Sequence, residues 1–271
     1  MYLKRRGEWP GHNLFMGKII CISSQKGGVG KTTTAVNLST ALALAEKNTL
    51  LLDLDFQGHS TGVLASSRRE GFSVYDVIAG SIPVEDTIRD TGIVFLKIVP
   101  ADTRLINAEY GLSRIGKESP LKEQLNRIKK EYDYIIIDSP PSFNRLGVNG
   151  INAADSILIP LQCEYFALES LAQFFKIFHG LKKKNKFEAE VSGILLNMYD
   201  PHEAVSEQIA CNVKNSFNGM VYDTVIPRCR SIRESASHGR SIILKDITSE
   251  GAKSFISLAR EIILNMHSSQ E

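Results

Sequence analysis

The sequence predicts a single α/β domain built on a mainly parallel, twisted sheet with helices on both faces. Three observations carry that expectation. Short, continuously apolar runs alternate with helix-length patterns from Ile19 almost to the C-terminus, two of those runs end in carboxylates, and the first is followed at once by a glycine-rich turn. Continuous apolar runs suit strands covered on both faces, and their alternation with helices suits right-handed parallel crossovers.

The expected strands are Ile19–Ser23, Thr49–Leu54, Ile93–Val99, Tyr134–Asp138, Ser156–Pro160, Val191–Met198 and Val221–Ile226. Helical patterns fall between them at Thr33–Ala45, which contains neither Pro nor Gly, and at Leu121–Glu131, Glu164–Leu181, Ala204–Phe217 and Gly251–Met266. In such a sheet the loops at the carboxyl ends of the strands build the site. No repeat, linker or low-complexity tract divides residues 17–271. Residues 1–16, with Lys4-Arg5-Arg6 and Trp9-Pro10, carry basic charge without an apolar core. They do not read as a secretory signal. They are expected to form a poorly ordered extension, with a basic DNA-contacting arm as the alternative.

A chain of 271 residues can bury a sizeable core. Its net charge of +2 creates no global field that attracts nucleic acid, so any such contact needs a local patch. The four cysteines, Cys21, Cys163, Cys211 and Cys229, are scattered without a C-x-x-C pair. That spacing disfavours zinc, an iron–sulfur cluster or a disulfide framework and fits a reducing cytosol. No apolar run approaches the ~18 residues of a membrane span.

The chemistry begins at Gln25-Lys26-Gly27-Gly28-Val29-Gly30-Lys31-Thr32-Thr33, between the first strand and the first helix. Glycines there let backbone N–H groups turn toward phosphate oxygens, and the helix N-terminus adds its positive dipole end. This is the cradle of a P-loop nucleotide hydrolase, with Lys31 facing the β- and γ-phosphates and the Thr32 hydroxyl ligating Mg²⁺. The general pattern G-x-x-x-x-G-K-[ST] fails at its first glycine, which is Gln25, and a second lysine, Lys26, stands at the mouth of the loop.

Two further strands bring carboxylates to the same end. Thr49–Leu54 runs into Asp53-Leu54-Asp55-Phe56-Gln57-Gly58, and the alternation is expected to put Asp53 and Asp55 on one side, partnered by Mg²⁺, a lysine or a water. Tyr134–Asp138 has the form of a Walker B strand, in which Asp138 bonds a Mg²⁺ water or the Thr32 hydroxyl. Pro140-Pro141 then stiffens a loop placed to sense the γ-phosphate.

The segments Lys26–Thr34, Asp53–Gly58 and Ile137–Ser142 together resemble the ParA/MinD superfamily of deviant-Walker ATPases. Gln162–Glu169, Gly193–Asp200 and Val225–Gly239 resemble its ParA/Soj branch, the chromosome- and plasmid-partitioning ATPases, and the resemblance runs in order from about Gly17 to Met266. It implies an ATP- and Mg²⁺-dependent ATPase of the cytoplasm, associated with the nucleoid. Nucleotide would be held by Gly27, Gly28, Val29, Gly30, Lys31, Thr32, Thr33, Pro227 and Arg228, and metal by Thr32, Asp53 and Asp138. Lys26 would be the signature lysine that reaches the phosphates of a partner's ATP in a homodimer. Asp55 would position the attacking water, although Phe56 replaces the proline usual before Gln57.

The resemblance further implies non-specific DNA binding by the ATP dimer and release on hydrolysis stimulated by a ParB-type centromere-binding protein. From Gln208 to Lys245 six basic residues face two acidic ones, and Lys214, Arg230 and Arg233 are the expected DNA contacts. The chain departs from its relatives here, since Ser231 stands where they carry arginine. His238 is expected to pack or bond within its loop rather than to catalyse. The closest rival is a MinD-like membrane-associated ATPase, which ends in a basic amphipathic helix. The last helix here has the apolar stripe Phe255, Leu258, Ala259, Ile262, Ile263 and Met266, which is expected to pack on the sheet, so no membrane partner is expected. Iron–sulfur carriers share the cradle, but Ser139 and Ser142 stand where a cluster-binding loop would need cysteines.

Overall fold

The computed structural model describes residues 17–65, 71–106 and 120–268; the extension expected at residues 1–16 lies outside them. Among the described residues one seven-stranded sheet runs β3-β4-β2-β5-β1-β6-β7. Its strands are β1 (Lys18–Ile22), β2 (Thr49–Asp53), β3 (Arg89–Asp90), β4 (Leu96–Val99), β5 (Tyr134–Asp138), β6 (Ser156–Gln162) and β7 (Glu190–Asn197). All neighbours are parallel except the short edge pair of β3 with β4.

Because successive side chains point to opposite faces, each strand feeds two cores. Ile19, Cys21, Leu50, Leu52, Ile135 and Ile137 face one side. That side is covered by α3 (Val74–Ile78), α4 (Pro120–Ile128), α5 (Arg145–Ala153), α6 (Ala167–Asn185) and α7 (Ala204–Ser216). Ile20, Ile22, Leu51 and Ile136 face the other, under α1 (Lys31–Leu44), α2 (His59–Leu64), α9 (Ile242–Lys245) and α10 (Glu250–Ser268). The short helix α8 (Arg230–Ser237) adds Ile232 to that second side. The expected α/β architecture, with helices on both faces of a mainly parallel sheet, is the one observed.

The differences from expectation are local. Val221–Ile226 is an extended edge segment rather than a strand, with isolated bridges from Val221 to Ile194 of β7 and from Pro227 to Tyr199 just beyond it. Glu261 of α10 explains the interruption. Its carboxylate accepts from the N–H groups of Asp223 and Thr224 at 2.8 and 3.0 Å, taking donors that a ladder would need. The expected strand at Ile93–Val99 starts only at Leu96, because the chain turns through Phe95 at φ 65°. The short helices α2, α3, α5, α8 and α9 were not among the expected helical patterns; each is shorter than the window of about 11–18 residues over which helical periodicity is read.

The apolar stripe of α10 is consumed by the fold. Phe255, Leu258, Ala259 and Ile262 are buried against the sheet and α1, with Ile263 and Met266 packed at the margin. It is therefore not a free lipid-facing surface, and no helix among the described residues is long and apolar enough to cross a membrane.

A buried polar contact ties the first helix to the C-terminal third. The Asn37 carbonyl accepts from Ser241 Oγ at 2.8 Å and from Ile242 N at 2.9 Å, while its amide donates to Thr33 O at 2.8 Å. Asn37→Ala would leave two buried donors unmatched and is expected to cost about 2 kcal/mol, read as a lower denaturation midpoint at unchanged m value.

Candidate functional site

Strand register, more than loop shape, assembles the site. β5 lies between β1 and β2, with Ile22 paired to Asp138 and Asp53 paired to Asp138. The loop after β1 and the carboxylates that end β2 and β5 therefore emerge side by side, within the ~5 Å spacing of adjacent strands.

The cradle has the backbone its glycines require. Gly28 and Gly30 take φ values of 77° and 92°, in the left-handed region. Gly30 has a second constraint, since a Cβ there would lie 2.2 Å from Asn197 Nδ2. Asn197, buried at the end of β7, donates that amide to Val29 O at 2.7 Å and accepts from the Met198 N–H at 2.9 Å. Met198 itself is held at φ 53°. The far strand thus clamps the loop from outside, a role that nothing in the sequence marks beyond an amide at a strand end. Gly27 and Gly28 stay exposed, and Gly30 caps α1 without a side-chain bond, which leaves the first-turn N–H groups of α1 available to an anion.

Lys31 is buried, with its Nζ donating to Lys26 O at 3.1 Å. Burial lowers its pKa, and the nearby carboxylates of Asp138 and Asp55 oppose that shift. The structure therefore gathers Lys31, Asp55 and Asp138 in one buried cluster.

The two strand-end carboxylates differ in what they bind. Asp53 is saturated: Oδ2 accepts from Thr61 N at 2.8 Å and Thr61 Oγ1 at 2.7 Å, and Oδ1 from Asp55 N at 3.2 Å. Asp138 accepts from Ser60 Oγ at 2.7 Å through Oδ2, and its buried Oδ1 has no partner. Burial, then the charge of Asp53, pushes the Asp138 pKa up to about 7, while the hydroxyls of Ser60 and Thr32 act in the opposite direction. The orphaned oxygen beside Thr32 is the feature a hydrated divalent cation would fit. Asp53 instead anchors the start of α2 through Thr61, and Asp55 has left the strand, its Oδ1 accepting from Gln57 N at 3.0 Å. Ser60 and Thr61, which hold both carboxylates, are the residues that sequence reasoning missed. The hydroxyl pair after Gly58-His59 was their only signal.

The remaining expected residues lie around the rim. Thr33 gives its carbonyl to Asn37. Pro227 bridges to Tyr199, and the Arg228 N–H donates to Tyr199 O at 2.8 Å, so this segment runs beside the end of β7 that carries Asn197. Lys26 is ion-paired to Glu164, at the loop between β6 and α6, with both side chains partly exposed. Lys214 sits on α7 and Arg230 and Arg233 on α8, helices that pack on opposite faces of the sheet.

Comparison with known proteins agrees with this geometry. A family model described as an AAA domain matches residues 17–191. The sporulation initiation inhibitor protein Soj of Bacillus subtilis is 43% identical over 252 residues, covering 92% of this chain and 100% of that protein. The chain belongs to the ParA/Soj family. The chromosome partitioning protein ParA of Myxococcus xanthus is 41% identical over 250 residues, covering 92% of this chain and 88% of that one. Among solved structures, cobyrinic acid a,c-diamide synthase of Mycobacterium smegmatis with bound ADP and magnesium superposes with a TM-score of 0.81 at 29% identity, covering 94% of this chain and 97% of that one. In this ParA/Soj family member the glycine-rich loop that precedes α1 lies at the carboxyl end of the sheet, beside the ends of β2 and β5.

The carboxylate pair generates a pH prediction. A folded-state pKa raised above the unfolded value means that the folded protein binds more protons, so stability is lost as pH rises from about 4 toward about 7. In the absence of nucleotide and metal the melting temperature should fall across that window, and Asp138→Asn should flatten the fall. At pH 8 that variant should melt about 3–6 °C above the native protein.

Proposed function

We propose that this ParA/Soj family member is a Mg²⁺-dependent ATPase of the partitioning type. ATP joins two copies face to face, the pair binds DNA without sequence preference, and hydrolysis stimulated by a ParB-type centromere-binding protein releases it. The proposed setting is the cytoplasm, on the nucleoid. The observation that carries the reading is the position of Lys26. Its ammonium lies outside its own cradle, where Lys31 already fills the cation's place. It is partly exposed and, among the described residues, paired with Glu164, a partner it can exchange for a phosphate on a facing subunit.

The surroundings of Lys26 suit such a face. Tyr165 and Phe166, next to Glu164, are 81% and 59% exposed and pack edge to face at 5.0 Å. Large aromatics clustered at the mouth of a charged site are what a second copy would cover.

Each residue then has a physical task. The N–H groups of Gly27–Thr33 and the Lys31 ammonium hold the phosphates, with Pro227 and Arg228 at the nucleoside side of the rim. Thr32 and the free oxygen of Asp138 hold Mg²⁺, which supplies charge neutralisation when bound, and Asp53 supports the metal side by fixing α2. Asp55, next to Lys31, orients the attacking water. Lys214, Arg230 and Arg233 contribute to DNA contact; the Arg230–Glu234 pair at 2.6 Å is exposed and cheap to break.

Lys31→Ala should abolish ATP binding by equilibrium dialysis. Lys26→Ala should keep nucleotide contact yet stay monomeric with ATP and magnesium in sedimentation, and unchanged dimerisation would remove the proposed role of Lys26. Asp55→Ala should accumulate an ATP-loaded dimer with hydrolysis lowered about 100-fold or more, whereas normal turnover would reject Asp55 as the water-orienting group. A gel shift on arbitrary duplex DNA should appear with ATP and not with ADP.

A further inference from the structure

Helix α6 carries a stripe of cations that none of the functions above uses. From Ser170 to Phe187 the chain contains no Asp or Glu but has Lys176, Lys182, Lys183, Lys184 and Lys186. The helix buries Leu171, Phe174 and Phe178. Lys176, His179 and Lys183, at i, i+3 and i+7, share the opposite, solvent-facing side. Lys186 extends the row at the C-cap, at φ 54°, a position where glycine is the ordinary residue.

Two observations separate this stripe from an ordinary solvated face. The first is its lack of counter-charge. Lys182 is paired to Glu190, and neighbouring Glu188 is taken by Lys122. Among the described residues, Lys176, Lys183, Lys184 and Lys186 have no carboxylate partner. By contrast, Glu234 of α8 is shared by Arg230 of the same helix and Lys245 of α9, at 2.6 and 3.5 Å. The second is continuity with α7. The ring of Phe217, which ends α7, stacks on Phe175 at 5.5 Å, and Phe175 stacks on His179 at 5.9 Å. Lys214 lies one turn before Phe217, exposed and likewise without a carboxylate partner among the described residues, so this aromatic stack joins it to the α6 row. Interaction with the helix dipole accounts for lysines in the last turn of α6. It accounts neither for Lys176, two turns earlier, nor for Lys214 on the next helix.

We propose that the solvent face of α6, continued by Lys214 of α7, is a main DNA-backbone surface of this protein. The inference rests on the DNA-binding reading above and moves the weight of contact from α8 to the other face of the sheet. Lys176 to Lys186 spans about 15 Å at 1.5 Å per residue, about four base-pair steps at 3.4 Å each. Lysines on flexible stems meet phosphates as point charges and carry no sequence information. An anionic lipid surface fits less well. A lipid-binding helix presents large apolar side chains beside its cations, and none is exposed between Ala167 and Lys186.

The test is fluorescence anisotropy on a short arbitrary duplex with ATP and magnesium, over about 50 to 200 mM salt. Lys176, Lys183, Lys184 and Lys186 are changed together to Gln, and in a second variant together to Arg. Binding of a fluorescent ATP analogue and the melting temperature report folding, and Lys176→Gln/Lys183→Gln is the fallback variant at two exposed positions. The Gln variant should lose at least about tenfold in affinity, and its log–log salt slope should flatten by about 0.9 for each phosphate contact removed. The Arg variant should retain both. Native affinity and slope in the Gln variant, while the native protein binds, would overturn this surface and leave the DNA reading standing. Equal weakness of the Arg variant would overturn a charge-based role. A native protein that binds no duplex with any nucleotide would overturn the DNA reading itself and this surface with it, as would binding to phosphatidylserine vesicles in place of DNA.

Discussion

The structure turns on two carboxylates held side by side at the ends of adjacent parallel strands. Asp53 and Asp138 are register partners, both buried, and neither can stay charged there without help. Burial pushes the Asp53 pKa up to about 6, although three hydrogen bonds, two from Thr61 and one from the Asp55 N–H, favour its anion. Asp138 has an unmatched oxygen, and its pKa is driven upward by burial and by its neighbour. The Lys31 ammonium beside Asp138 offsets part of the cost of that arrangement, and a divalent cation held by the free oxygen would offset more. The carboxylate pair also fixes what surrounds it. Ser60 and Thr61 must begin a helix at that point, and Lys31 must be buried beside the pair although burial disfavours its charge.

From that centre the geometry extends outward in two directions. Toward β7, Asn197 clamps the cradle by holding Val29 O, and its amide fills the space that a side chain at Gly30 would need. Along α1, Asn37 connects the helix that starts at the phosphate loop to the cap of α9 and so to the C-terminal third. Both contacts are buried amides using donor and acceptor together, an arrangement that tolerates little displacement.

The surface is as uneven as the interior. One rim presents Lys26 with Glu164 and a cluster of exposed aromatics. A separate side presents, along α6 and α7, Lys176, Lys183, Lys184 and Lys214 without a carboxylate partner among the described residues, while the arginine segment of α8 is partly neutralised by its own Glu234. A net charge of +2 conceals this separation. What matters for a polyanion is where cations lack partners, and a count along the chain does not reveal that.

The sequence by itself determined the elements whose signals are local. The apolar runs at Ile19, Thr49, Tyr134 and Ser156 became strands because a continuously apolar segment is stable only when covered on both faces. Gly28 and Gly30 marked a loop whose φ values other residues rarely adopt. The apolar stripe of the last helix likewise announced its burial. Tertiary structure alone decided how distant polar groups share hydrogen bonds. Asp53 went to Thr61 and Asp138 to Ser60, Glu261 took the N–H groups that would have made Val221–Ile226 a strand, and Glu164 took Lys26. Apolar burial is written in the periodicity of a single segment. A buried polar group is satisfied by whichever partner the packed chain brings within about 3 Å, and spacing along the sequence carries no record of that choice.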